Sequence, residues 1–219
     1  MNKILKLSAI ALLASSTSLM AQSASFKGGS IAVFGSIMGA EVDGTVTDSN
    51  NAVSSGSFGK VAPVAGIDAA YTFATGSNGF IGIGATYLAG EAEFGVGAAD
   101  SSGDATKNFT GKIKDHYSVY IQPGYALSKD SAVYAKISYN HADFNVTNVV
   151  RQPGDLEGWG YGIGLKTFLT PNTFMQVEAS YTEYDTLTAT RTATGGTGVV
   201  TASGKPAIAA GTISIGYKF

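Results

Sequence analysis

The chain has 219 residues, of which 29 are glycine, 11 are phenylalanine, 11 are tyrosine and only 14% are charged, with a formal net charge of −2. This near-neutral balance excludes the basic surface that nucleic-acid binding requires. The absence of cysteine excludes a disulfide framework and a lipid-modified cysteine anchor. The length suits a single domain.

Residues 1–21 have the pattern of a secretory signal peptide. Lys3 and Lys6 give a positive start, residues 7–14 form a short apolar core, and Leu19-Met20-Ala21 offers a small-residue cleavage site. The apolar run is too short for a membrane-spanning helix, which needs about 20 residues. We therefore expect residues 1–21 to be removed and residues 22–219 to form the mature domain.

Eight segments of the mature chain alternate between apolar and small or polar residues, which is the pattern of β-strands with one apolar face. In the clearest segment, Trp159, Tyr161, Ile163 and Leu165 alternate with glycines. Each segment is long enough to be a tilted membrane strand of about 9–11 residues. The predicted strands are 26–42, 61–73, 80–94, 113–127, 132–146, 158–169, 174–185 and 206–219.

The connections between these segments alternate in length. Those at 43–60, 95–112, 147–157 and 186–205 are long and polar, whereas Ser77-Asn78, Lys129-Asp130 and Pro171-Asn172 mark tight turns. Long loops at one end and short turns at the other are typical of bacterial membrane barrels with both termini in the periplasm. The sequence therefore predicts an all-β, eight-stranded antiparallel up-and-down transmembrane β-barrel.

Aromatic residues recur at matching positions of the predicted hairpins, as in Tyr71, Tyr125 and Tyr217 near one end and Tyr139 and Tyr181 near the other. Such recurrence predicts two aromatic belts at the membrane boundaries.

The sequence does not decide which face of the first strand points outward. Either Ile31, Val33 and Ile37 or Phe34 and Met38 face lipid.

The opposite face of the strands carries mainly glycine, serine, threonine and tyrosine, as expected for a narrow lumen. Four charged residues interrupt it at a similar height: Asp68, Lys136, Lys166 and Glu178. Because about eight strands leave just enough room for side chains, we expect an interior ion-pair cluster that stabilises a filled lumen. The alternative is a charged constriction in a pore.

The signal peptide, the eight strands, the alternating loops and the ending Tyr217-Lys218-Phe219 resemble the small bacterial outer-membrane β-barrel superfamily. The chain is similar to opacity-protein and porin-like surface antigens and to OmpA-type barrels. The resemblance implies that Tyr217 and Phe219 form an assembly signal and that periplasmic chaperones and the barrel-assembly machinery are partners. It also implies a monomer in outer-membrane lipid, with periplasmic termini and long extracellular loops.

One sequence feature suggests chemistry. His116-Tyr117-Ser118 resembles the His-x-Ser pair of outer-membrane phospholipases and lipid A deacylases, but the strand register turns His116 and Ser118 into the lumen, away from lipid. His141 is interpreted as an isolated rim residue, and no catalytic, metal or cofactor site is predicted. We expect a structural or surface-interaction protein. A narrow porin or conduit for small solutes is the alternative, and a lipid-modifying enzyme is a third class.

Overall fold

The computed structural model describes residues 22–47, 53–89, 92–97, 108–146, 154–192 and 199–219. A short 3₁₀ helix, Gln22–Phe26, precedes ten β-strands. The signal peptide predicted at residues 1–21 lies outside the described residues. The strands are β1 (Gly28–Thr47), β2 (Val53–Ala74), β3 (Gly79–Ala89), β4 (Ala92–Gly97), β5 (Asn108–Ala126), β6 (Ser131–Val146), β7 (Leu156–Phe168), β8 (Thr173–Tyr184), β9 (Leu187–Thr192) and β10 (Val199–Lys218).

The strands form one closed antiparallel sheet. The pairing follows the order β1-β2-β3-β5-β6-β7-β8-β10, and β1 also pairs with β10, which closes the ring. Because β3 and β4 both pair with β5, and β8 and β9 both pair with β10, the ten strands occupy eight positions around the barrel. The eight-stranded antiparallel barrel predicted from the sequence is confirmed.

Three of the predicted long connections are shorter than expected, because the flanking strands continue into them. β1 and β2 stay paired to Thr47 and Val53, which leaves five residues between them instead of the predicted 43–60. Likewise, β4 and β5 enter 95–112, and β9 and β10 enter 186–205. Serine, threonine and glycine indicated loops in the sequence, but a strand that is hydrogen-bonded to its neighbours can still contain them, because strand propensity depends on context.

The barrel has an apolar outer face and two distinct ends. The outward face of β1 carries Ile31, Val33 and Ile37, which are about half exposed or more, whereas Phe34 and Met38 line the interior. This decides which face of the first strand points outward. The turn end carries the 3₁₀ helix and the tight turns, and the loop end carries the longer connections. The described part of the chain contains no helix that is long and apolar enough to cross a membrane.

Aromatic pairs mark both ends of the outer face. At the turn end, the ring centres of Tyr71 and Phe73 are 4.7 Å apart. At the loop end, the rings of Tyr139 and Trp159 meet edge to face at 5.6 Å. These positions agree with the two aromatic belts expected of a membrane barrel.

The 3₁₀ helix lies inside the turn end and acts as a plug. Phe26 is buried, with its ring stacked on Phe80 at 5.3 Å and tilted against Phe168 at 5.2 Å. The Ser23 amide donates a hydrogen bond to Ser77 O at 3.1 Å, and Lys218 Nζ donates one to Ser25 O at 2.7 Å. The helix is therefore fixed to a turn and to the last strand, and its aromatic ring fills the lumen there.

Candidate functional site

A cavity of about 90 Å³ lies inside the barrel, on the loop-end side of the plug. A cavity needs about 10–15 Å³ to hold one water molecule, so this one is large enough for water. Its wall is polar at Asp68, Ser118 and Glu178 and apolar at Phe34 and Met38. The expectation of a lumen filled by side chains therefore holds at the turn end, while the middle of the lumen retains space.

Two of the four interior charges predicted from the sequence form a direct ion pair. Lys136 Nζ lies 3.1 Å from Glu178 Oε1, and both side chains are mostly buried. The second carboxylate oxygen, Oε2, accepts a hydrogen bond from the Tyr134 hydroxyl at 3.1 Å. Gln176 Nε2 in turn donates to that hydroxyl at 3.1 Å. Glu178 is thus bonded through both oxygens inside the barrel.

The other two charges are held by aromatic residues. Asp68 Oδ2 accepts a hydrogen bond from the Tyr120 hydroxyl at 2.8 Å. Lys136 Nζ lies 4.4 Å from the centre of the Tyr120 ring, so Tyr120 links Asp68 to the ion pair. Lys166 Nζ lies 3.9 Å from the centre of the buried Phe174 ring, and its charge also interacts with that of Asp68.

Two tyrosines therefore complete the cluster, and sequence reasoning missed their role. Tyr120 and Tyr134 are buried, and each stands in the inward register among small residues. That position is the signal that could have identified them, because a buried tyrosine hydroxyl normally finds a hydrogen-bond partner. The stabilising role of Asp68, Lys136, Lys166 and Glu178 stays a prediction.

The His-x-Ser pair faces the lumen, as its register indicates. Ser118 is buried, and its hydroxyl hydrogen-bonds that of Thr86. His116 Nε2 lies 3.0 Å from the Tyr184 hydroxyl, while its buried Nδ1 has no hydrogen-bond partner among the described residues. Each member of the pair is thus bonded to another strand, an arrangement that does not direct His116 towards Ser118 as a base.

The two residues of the expected assembly signal lie on the outer face at the turn end. The rings of Tyr217 and Phe219 meet edge to face at 5.5 Å, and both side chains are exposed. The Phe219 amide donates to Gly29 O at 2.9 Å, which ties the end of the chain to β1. Their part in assembly stays a prediction.

The interpretation of His141 as an isolated rim residue is wrong. Its Nδ1 lies 3.5 Å from Glu157 Oε1, and its Nε2 lies 3.7 Å from Asp143 Oδ1. The register between β6 and β7 places Glu157 opposite His141, which a reading of one strand at a time does not reveal.

A second charged pair lies at the loop end beyond the aromatic belt. Lys205 Nζ donates a hydrogen bond to Glu183 Oε2 at 3.0 Å, and this bond raises the pKa of Lys205. Because both side chains are more than half exposed, we expect the pair to contribute little to stability.

Residues 9–219 match the family model described as the outer membrane protein beta-barrel domain. The outer membrane protein OprG from Pseudomonas aeruginosa is similar in structure, with a TM-score of 0.59 and 15% identity over 88% of this chain and 97% of that one. At this identity the similarity supports the fold alone. A comparison with curated protein sequences finds no match.

Two weaker structural similarities carry no further conclusion. The attachment invasion locus protein Ail of Yersinia pestis, in complex with the heparin analogue sucrose octasulfate, has a TM-score of 0.43 and 14% identity over 88% of this chain and 99% of that one. The outer membrane protease OmpT from Escherichia coli has a TM-score of 0.49 and 10% identity over 88% and 97%.

Proposed function

The chain belongs to the outer membrane protein beta-barrel domain family, and from that premise we propose that it is a structural or surface-interaction protein rather than a pore. In this proposal the termini lie in the periplasm and the loop end faces the outside of the cell. The observation that carries it is the closed turn end, where Phe26 of the 3₁₀ helix stacks on Phe80 inside the barrel.

The plug and the charged cluster act in series along the lumen. A solute entering from the loop end first meets the Lys136–Glu178 ion pair and then the packed rings of Phe26, Phe80 and Phe168. Because the helix is hydrogen-bonded to the Ser77 turn and to Lys218, it is held in the lumen by more than ring packing. These contacts support a lumen that does not conduct across the membrane.

The strands that continue past the loop-end belt support the surface role. Tyr181 of the belt pairs with Ala209, which pairs with Gly39 of β1. From Gly39 to Thr47, β1 runs on for about 26 Å at about 3.3 Å per residue, paired on both sides. In this proposal the barrel wall at β1 continues beyond the membrane boundary as a hydrogen-bonded sheet suited to contacts outside the lipid.

Single cysteine substitutions test the proposed orientation, because the chain has no cysteine of its own. We expect Asp43→Cys, at an exposed loop-end position, to react with a membrane-impermeant maleimide on intact cells. Lys129→Cys, in an exposed turn at the opposite end, should react only after the outer membrane is permeabilised. Labelling of Lys129→Cys on intact cells, with Asp43→Cys protected, would show the reverse orientation.

The interior cavity favours a second candidate, a narrow conduit for small solutes. Its wall combines the polar side chains of Ser118 and Gln122 with the apolar ones of Phe34 and Met38, so it suits a small amphipathic molecule. With the turn end closed, such a solute would have to leave sideways through the wall. Swelling of liposomes containing the refolded protein in small neutral solutes would favour the conduit, and no swelling would favour the surface protein.

A further inference from the structure

Three metal-ligating side chains converge at the loop end, outside the lumen. His141 and Asp143 lie two residues apart on β6, and Asp155 immediately precedes β7. Each offers one ligand atom, and these atoms all lie within 4.8 Å of one another. Two ligands that are each about 2.1 Å from a tetrahedral ion are separated by about 3.4 Å. The 3.7 Å between His141 Nε2 and Asp143 Oδ1 is close to that value.

The imidazole of His141 is held in place from its other side. Glu157 Oε1 lies 3.5 Å from Nδ1. The His141 ring also packs against Tyr117, with 4.9 Å between the ring centres. Histidines that bind metals through one ring nitrogen usually donate the other N–H to a carboxylate in this manner.

We propose that His141, Asp143 and Asp155 bind a first-row divalent cation of the Zn²⁺ type, with Glu157 as a positioning residue. One imidazole and two carboxylates suit Zn²⁺, whereas Ca²⁺ and Mg²⁺ prefer oxygen ligands alone. Three protein ligands leave at least one coordination position for water. The ion would tie the connection that ends at Asp155 to β6, and the site stands independently of the function proposed above.

A competing explanation needs no metal. A protonated His141 between Asp143 and Glu157 would form two weak ion pairs at the same distances. Lys114, the register partner of Asp143, brings a further positive charge to this rim. The two explanations differ in what they require of Asp155. The metal site needs Asp155 as a ligand. The ion-pair explanation does not need Asp155, and among the described residues no ion pair joins it to His141.

The test is calorimetric titration of Zn²⁺ into untagged, refolded protein stripped of metal by a chelator. We expect one Zn²⁺ per chain and at least tenfold weaker binding in both His141→Ala and Asp155→Asn. Glu157→Gln should weaken binding by about tenfold or more, which is the usual effect of replacing a carboxylate that is bonded to a ligand histidine. His116→Ala and Asp43→Asn, which change the lumen histidine and a carboxylate on β1, should bind like the wild type.

A second readout separates metal ligation from loss of folding. Each variant should keep the faster migration of an unheated barrel on gels, and Co²⁺ should give a visible absorption band in the wild type that is absent in Asp155→Asn. A large excess of Ca²⁺ should not displace Zn²⁺. Wild-type protein that binds no Zn²⁺, or a folded Asp155→Asn variant that binds it unchanged, would overturn the proposal.

Discussion

The ring of Tyr134 on β6 lies directly against the backbone of Gly164 on β7, where any side chain would overlap it. The same relationship recurs around the lumen, between inward aromatic rings and glycines of the neighbouring strand: Phe80 with Gly124, Tyr120 with Gly84, and Phe174 with Gly216. The glycines that alternate along these strands therefore make room for the aromatic residues that fill the barrel.

Gly164→Ala tests this packing. The new methyl group would meet the Tyr134 ring, so we expect a loss of about 1–3 kcal/mol in the free energy of unfolding, typical of overpacking. Gly211→Ala is the matched control, because a Cβ at this outward glycine meets no atom within 4 Å. It should change stability by less than about 0.5 kcal/mol. Urea titration in detergent micelles compares them, and equal losses would show that the ring contact is not responsible.

Glu178→Gln tests the interior ion pair. The substitution leaves the mostly buried Lys136 without its charged partner, which costs about 3–5 kcal/mol when one member of a buried pair is removed. The double variant Lys136→Met, Glu178→Gln removes both charges and should recover most of that loss. The urea midpoints of the single and double variants measure the difference. A single variant as stable as the wild type would contradict a structural role.

Phe26→Ala tests the plug. Phe26 is 1% exposed between Phe80 and Phe168, so its truncation leaves a cavity and should cost about 3–5 kcal/mol. Phe73→Ala removes an equal side chain from the outer face, where it is 48% exposed, and should cost less. If the two variants unfold at the same urea concentration, the helix does not contribute to the stability of the closed barrel.

Phe219→Ala tests the expected assembly signal. The substitution removes the ring but keeps the backbone hydrogen bond from residue 219 to Gly29 O. We expect less protein in the outer membrane at native expression and more degradation in the periplasm. Leu127→Ala, which removes another exposed apolar side chain at the turn end, should insert normally. Unchanged insertion of Phe219→Ala would show that the terminal aromatic residue is not read during assembly.

Much of the barrel could be predicted because strand faces follow a period of two. Ile163 stands in the clearest alternating segment and is 70% exposed on the outer face. The strand ends were predicted less well, since Thr45 and Ser55 pair across β1 and β2 in a stretch whose composition indicates a loop. Composition reports local preference, whereas strand length depends on hydrogen bonds from a neighbour.

The candidate sites required information that separate strands do not contain. Glu178 and Lys136 share a height in the sequence pattern, and the structure brings them into contact. Asp155 immediately precedes β7, and it comes close to His141 only when β6 and β7 are paired. Strand register depends on pairing and on loop geometry together. The sequence pattern of single strands therefore did not predict that His141, Asp143 and Asp155 lie close together.

Planar-bilayer recording of the refolded mature protein tests the central claim most directly. Because the Phe26 plug and the Lys136–Glu178 pair lie in series along the lumen, we expect negligible conductance in the wild type and in Glu178→Gln. Stable wild-type channels whose ion selectivity shifts in Glu178→Gln would contradict the account and establish a pore.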